Sequence, residues 1–250
     1  MHFFSWSFFV TTLFRIVGRV PVTLGITAGA FSTGMALAFI LAAVQVYKVP
    51  VAWQAARFYI SFIRGTPILI QLLICNIFLP SLIWRITGYN VGRYWPPIMF
   101  VIMAYGLNSA AFLSETLRAS VSGVGAGQQE AAYSVGLTKF QSLVYVILPQ
   151  AIRISIPGMA NSLSSLLKDT SLAYSAAGIL DIMGMAATNA TASFRGQQGS
   201  VLSATFREME GYIGAACVFF VLCILLERGM NLLSKRLDQG EVYLNRGKGG

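Results

Sequence analysis

The sequence is poor in charge, cysteine and histidine, and each shortage removes a class of function. Charged residues are 11% of the 250, against about 25% in typical soluble domains. Hydrophobic residues are 56% and the mean hydropathy is +0.66. A soluble chain of this length could build a sizeable core, but it could not hide this much apolar surface. Acidic residues are the scarcest charges, 9 against 18 Lys and Arg, for a net charge of +9. In a soluble protein that balance would suggest nucleic acid. Here the basic residues mostly flank apolar runs, the orientation signal of an inner-membrane protein, so no nucleic-acid partner is expected. The lone histidine, His2, completes no Ser-His-Asp or Cys-His set, and no metal-ligand spacing occurs. Cys75, Cys217 and Cys223 lie inside apolar runs as small packing residues, implying neither disulfide nor metal site. No Gly-x4-Gly-Lys-Ser/Thr loop is present, so the chain is expected to bind no ATP cofactor and to be no enzyme. Its energy must come from a partner or an ion gradient.

Long apolar runs fill the sequence instead. Val20 to Tyr47 carries no charge, and is longer than the ~20 residues a span requires. Thr66–Trp84, Tyr94–Ser114 and Gly211–Leu226 are further candidates. Between Phe140 and Thr191, Arg153, Pro157, Gly158, Lys168, Asp169 and Asp181 interrupt the apolar run. The reading there is one span, roughly Ile152 to Leu167, then an irregular or re-entrant stretch near the outer side. Met1 to Phe14 has no preceding Lys or Arg and no small-residue cleavage site, so a cleaved signal is not expected. Phe3, Phe4, Trp6, Phe8 and Phe9 suit an interfacial segment, with Arg15 and Arg19 at the water. The expected fold is all-α: five membrane spans plus that N-terminal segment.

Basic residues orient the bundle. One side would hold Lys48, Arg57, Arg64, Arg118, Lys139, Arg228, Lys235, Arg236, Arg246 and Lys248. The other would hold Arg15, Arg19, Arg85, Arg93, Arg195 and Arg207. The richer side is cytosolic, which places the C-terminus and the loop around Glu130 inside and the N-terminus outside. A six-span count has less support from this balance. The domain division is 1–19 as an extracytoplasmic or interfacial segment, 20–235 as the membrane domain and 236–250 as a cytosolic tail.

The polar loop at about 115–149 is the most specific segment. Glu130 to Tyr133 are good helix formers. Gly136 can leave that helix with positive φ, and Thr138 is placed to cap a second helix through Phe140 and Leu143. Pro149 is expected to bend or end it near the bilayer surface. Such a helix–turn–helix, with one carboxylate at a fixed position, suits rigid docking to another protein. The plainer reading is an ordinary amphipathic loop between spans.

Glu130-Ala131-Ala132, three residues, Gly136, then Val146, Leu148 and Pro149 together resemble the EAA loop of bacterial ABC-importer permeases. That pattern is Glu-Ala-Ala, three residues, Gly, nine residues, Ile, any residue, Leu-Pro; only Val146 departs from it, a conservative change. Ile63-Arg64-Gly65-Thr66-Pro67, leading into Ile68-Leu69-Ile70-Gln71-Leu72, looks like the Arg-Gly-Thr-Pro segment of polar amino-acid importer permeases. Leu167-Lys168-Asp169-Thr170-Ser171-Leu172 resembles their Lys-Asp-Thr-Ser-Leu box, and Pro21-Val22-Thr23-Leu24 also fits. The likeness runs from about residue 17 to 235 and is greatest to histidine, glutamine, arginine and cystine importers. It implies a bundle of about five helices per subunit with a cytosolic coupling-helix loop, paired with a second permease subunit, identical or a sister chain. It also implies a cytosolic ATP-binding subunit dimer holding ATP and Mg, an extracytoplasmic amino-acid-binding protein and an amino-acid substrate. Import rather than export rests on this resemblance.

Other candidates carry two readings each. Thr66-Pro67 is an ordinary helix start with Arg64 anchoring at the headgroups, or Arg64, Gly65, Thr66 and Pro67 serve coupling or gating. Lys168 and Asp169 in an apolar region mark a substrate path or a partner pair. Asn161, Ser164, Ser165 and Lys168 would share one helix face, and with Ser162, Thr170 and Ser171 could hydrogen-bond a zwitterionic amino acid. The bland alternative is that the charges tie down a broken helix and the serines pack closely. Asn108 and Glu115 would share a face of the third span, while Glu115 and Arg118 read as an i,i+3 pair. Gly25-x-x-x-Gly29 is a common packing motif. Asp181 to Gly211, with Glu208 and Glu210, reads as an outward-facing loop where a delivering protein could dock. The rival function is an ion-coupled transporter or channel-like protein with Lys168 and Asp169 on the ion path; a membrane-anchored structural subunit is a third.

Overall fold

The computed structural model describes residues 4–196 and 201–246, and these are helical apart from short connections. His2, Phe3 and Lys248 of the sequence reading lie outside the described residues. Helix α1 (Trp6–Val17) leads through Gly18 and Arg19 into α2 (Val20–Tyr47). Then come α3 (Ala52–Arg64), α4 (Ile68–Thr87), α5 (Pro97–Gly123) and the short α6 (Ala126–Ser134). The helical run α7 (Lys139–Ala177), α8 (Ile182–Gly196) and α9 (Val201–Arg246) complete the chain.

Among the described residues, five helical segments are long and apolar enough to cross a membrane: Trp6–Tyr47, Ile68–Thr87, Pro97–Gly123, Lys139–Ala177 and Glu208–Arg236. The five-span expectation therefore holds, with bounds that run past the uncharged cores. Helix continuity extends α5 beyond Ser114 because Glu115 and Arg118 neutralise each other on its last turns. The first segment has 42 residues, about 63 Å if straight, twice the ~30 Å hydrocarbon core.

Two π-helical turns have one cause. Ile74–Phe78 and Leu143–Ile147 each stand directly before a Leu-Pro pair, Leu79-Pro80 and Leu148-Pro149. Proline supplies no N–H, and its ring crowds the carbonyl four residues back. Widening the turn relieves this: Leu79 N–H reaches Ile74 O, and Leu148 N–H reaches Leu143 O. Of the two outcomes expected at Pro149, bending or ending the helix, ending does not occur, since the turn widens and α7 continues to Ala177. The span read as Ile152–Leu167 is likewise longer. Among the described residues of the region expected to be irregular, a 3₁₀ turn at Thr170–Leu172 and the non-helical connection 178–181, opening on left-handed Gly178 at φ 65°, are the breaks in the helix. The stretch 181–211, read as a loop, contains α8 and the start of α9. Ile182 and Ala186 on one face of α8 bury against Ile16, Ala215 and Val218, which decides the matter over its polar composition.

The chain divides into two compact units. One comprises residues 1–32, 66–106 and 165–224. Its main core joins Ile26, Ala30, Leu72, Val101, Tyr105, Leu166 and Ala173, and Gly29 admits Ile102 at close range. The other comprises 33–65, 107–164 and 225–250 and includes the loop around Glu130. There Gly158 of α7 meets Thr116 of α5, and the Tyr59 hydroxyl donates to Leu107 O at 2.7 Å.

Candidate functional site

The Glu130 loop is built from two local devices. Helix α6 ends in a Schellman motif: Leu137 N–H donates to Ala132 O at 3.1 Å and Gly136 N–H to Tyr133 O at 2.9 Å. This needs a left-handed residue, and Gly136 sits at φ 84°. Two residues on, Thr138 opens the next helix with a capping box. Its hydroxyl accepts from Gln141 N–H at 3.3 Å, and Gln141 Oε1 accepts from Thr138 N–H at 2.9 Å. The expected helix–turn–helix is present.

Helix α6 packs on the π turn at Leu143–Ile147, so the wide turn before Leu148-Pro149 is also its seat. Gln150 Nε2 reaches Gln128 Oε1 at 3.3 Å across the same junction. The two alanines differ in role: Ala132 is buried, while Ala131 is exposed beside Glu130. The sequence reading missed the exposed apolar side chains on the same loop. Val135 is 77% exposed and Phe140 68%. An exposed carboxylate and exposed apolar side chains on one short loop are chemistry that can dock a protein.

The second candidate set lies on α7, and the structure divides it. Asn161, Ser165 and Lys168 are exposed along one stripe, whereas Ser164 is buried. Thr170 is buried too and returns its hydroxyl to Leu167 O at 2.7 Å. Asp169 is half-buried, and its main-chain carbonyl accepts from the Tyr105 hydroxyl, which ties down the helix where it tightens into the 3₁₀ turn. Tyr105 carried no signal in the sequence, because its role depends on which helix stands opposite. Ser171 is partly exposed beyond that turn.

In the Arg64–Pro67 segment, Thr66 is not the cap. Pro67 occupies the position before Ile68, and the Thr66 hydroxyl and carbonyl accept from Gln71 Nε2 at 2.9 and 3.1 Å. The buried Gln71 thus clamps the turn from inside its own helix. Arg64 lies over the Phe112 ring at 5.3 Å, and Arg118 grips both Glu115 oxygens, as the i,i+3 spacing implied.

Asp181 is a site residue that an Asp before an apolar periodic run could have signalled. It caps α8, Oδ1 accepting from Gly184 N–H at 2.8 Å, while Oδ2 is buried without a partner. Burial pushes its carboxyl up to about 6, opposed by the backbone bond from Gly184. The ordinary value is ~3.9, so the folded state holds its proton more tightly than the unfolded state. The stability this gives is full below about pH 4 and is lost as pH rises through about 6. Melting temperature in detergent should therefore fall between pH 4 and 7, and Asp181→Asn should flatten that slope. An unchanged slope in Asp181→Asn would contradict the assignment.

Comparison with known proteins places this geometry. The family described as binding-protein-dependent transport system inner membrane component matches residues 34–239. The chain is 36% identical to the L-cystine transport system permease protein TcyL of Bacillus subtilis, over 94% of this chain and 91% of that one. It is 34% identical to the probable glutamine ABC transporter permease protein GlnM of the same organism, over 85% and 86%. A crystal structure of an amino acid ABC transporter with histidines superposes with a TM-score of 0.75 at 28% identity, covering 91% of this chain and 95% of that one. The exposed Glu130 loop, seated on a run of apolar helices, is thus part of a transport subunit, and the chain belongs to the family of inner membrane components of binding-protein-dependent transport systems.

Proposed function

We propose that this chain is the permease subunit of an ATP-driven importer that carries a polar amino acid across the bacterial cytoplasmic membrane. The observation that carries the reading is the α6 loop, where a Schellman turn and a capping box hold Glu130, Val135 and Phe140 in fixed exposed positions. Such a surface has a use only if something grips it, and a cytosolic ATPase dimer binding ATP and Mg is the partner proposed. Its closure on nucleotide would bias the permease between inward- and outward-open states by differential binding. A second permease subunit would complete the pathway, and an amino-acid-binding protein would deliver the substrate from outside. The N-terminus is outside and the C-terminus cytosolic in this reading, with residues 1–19 at the outer interface.

Relatives named for cystine and glutamine support an amino-acid substrate. Asn161, Ser165 and Lys168 are the side chains proposed to meet it, because a polar stripe on a spanning helix is costly against lipid. The Lys168 ammonium suits the substrate carboxylate, and the Asn161 amide oxygen and Ser165 hydroxyl suit its ammonium. Ser164 and Thr170 are buried, and the Thr170 hydroxyl is bonded back to its own helix. The coupling surface favours ATP drive over an ion gradient, which would leave it unused.

Uptake tests this directly. The chain with its co-purified partners, in sealed vesicles, should accumulate a labelled polar amino acid only with ATP. Ser165→Leu should raise KM severalfold with the assembly intact. Uptake driven by an ion gradient without ATP would overturn the proposal.

A further inference from the structure

Beyond the coupling loop and the α7 stripe, the end of α2, helix α3 and the last turns of α5 enclose a cavity of about 790 Å³. Its lining includes Gln45, Lys48, Arg57, Arg64, Glu115 and Arg118, which carry all of its charge. Four cations thus face one carboxylate. That carboxylate is already engaged, since Arg118 Nε donates to both Glu115 oxygens at 3.1 and 3.0 Å. The excess charge is positive, and two of its carriers rest over aromatic rings: Arg57 lies 4.7 Å from the Trp53 ring centroid and Arg64 5.3 Å from that of Phe112. A guanidinium attracted to a ring still keeps N–H groups for an acceptor.

Two further features point to an occupant. Gln45 is 8% exposed, and its Nε2 has no hydrogen-bond partner. A buried donor without an acceptor is costly, and an anion in the cavity would supply one. The rim is also strained. Lys48 has φ 49°, and Val51, with φ 65°, closes a γ-turn from Ala52 N–H to Pro50 O at 2.7 Å. A β-branched residue in that conformation persists where the surroundings hold it, and such strain gathers at ligand clamps.

We infer that this cavity binds the phosphodiester headgroup of an anionic phospholipid. A phosphodiester offers several acceptors to three arginines, a lysine and an amide, and the site is next to the bilayer surface. Arg118 lies about 8 Å along α5 from Gly123, where the chain leaves for α6. The neighbouring face of α3 presents Phe58 and Phe62, stacked at 6.2 Å and 74% and 53% exposed. A headgroup in the cavity would lay its acyl chains beside these rings, as an amphipathic interfacial helix requires. Basic pockets between spanning helices on the cytosolic side take headgroups in this way. The lipid comes from the cytosolic leaflet, a placement that rests on the proposed orientation; headgroup binding itself does not.

The test is lipid retention by the full chain, read by native mass spectrometry without any transport assay, so failed coupling and failed lipid binding remain distinguishable. Phosphatidylglycerol should be retained over phosphatidylcholine. Lys48→Gln with Arg57→Gln should weaken that retention about tenfold or more. Arg85→Gln with Arg93→Gln, outside the cavity, should leave it unchanged. Glycerophosphoglycerol, the same phosphodiester headgroup without tails, should displace the lipid poorly. Equal retention of the two lipids by the native chain would overturn the inference even if the double variant failed to fold. So would unchanged retention in the folded double variant, or full displacement by glycerophosphoglycerol, which would mark a site for a soluble phosphate ester.

Discussion

Gly158→Leu is expected to leave almost no folded protein, and Gly158→Ala to lower the melting temperature by roughly 3–10 °C. A Cβ at residue 158 would stand 2.5 Å from Thr116 Cγ2, closer than nonbonded carbons approach. The contact joins α7 to α5, two spanning helices whose backbones come together through this absent side chain. The Thr116 hydroxyl is bonded to Phe112 O at 3.1 Å, so the side chain does not simply rotate away. Overpacking of this kind costs about 1–3 kcal/mol for one added carbon, and a leucine adds four. The cause is a single methyl, so Thr116→Ser should recover most of the loss in Gly158→Ala. Melting of the four proteins in the cycle isolates the coupling. A Thr116→Ser background that rescues nothing would remove this contact as the explanation.

Gly136 should respond to backbone shape rather than size. No atom lies within 4 Å of a Cβ built there, yet φ is 84°. Transport should therefore fall in the order Asn, Ala, Val, with Gly136→Asn mild and Gly136→Val at least about tenfold down. A side chain in the left-handed region costs roughly 1–2 kcal/mol, and a β-branched one more. The loss falls on the Schellman turn, hence on the aim of α6, while the spans keep their packing. Melting temperatures should change far less than uptake. A set in which Ala and Val match glycine would contradict the geometry assigned to the turn.

These two glycines show what a sequence can and cannot announce. Gly136 was legible because local chemistry surrounds it: helix formers before, a Thr cap two residues later, and a fixed spacing to Leu148 and Pro149. The same local logic gave the Thr138 cap and the Glu115–Arg118 pair. Gly158 was legible only as an interruption, since its meaning lies in Thr116, some forty residues earlier on another helix. Pro149 was legible only to two outcomes, bending or ending the helix, for a related reason. The rule that proline ends a helix is local, but a π turn seating α6 absorbs the missing donor. The apolar face of α8 was hidden by its polar neighbours until Ile16, Ala215 and Val218 gave it something to pack on. Of the polar stripe, spacing placed Asn161, Ser164, Ser165 and Lys168 together; burial then removed Ser164.

The central claim is that the Glu130 loop is where an ATPase holds this chain. Its most direct test is a pull-down of the full chain from gently solubilised native membranes, beside Glu130→Lys. Glu130 is exposed, so the variant should insert and fold as the native chain does. The account predicts an ATPase in the native eluate and its loss from the variant. An intact, correctly inserted native chain that brings down no ATPase, or a variant that brings down as much as the native chain, would contradict it.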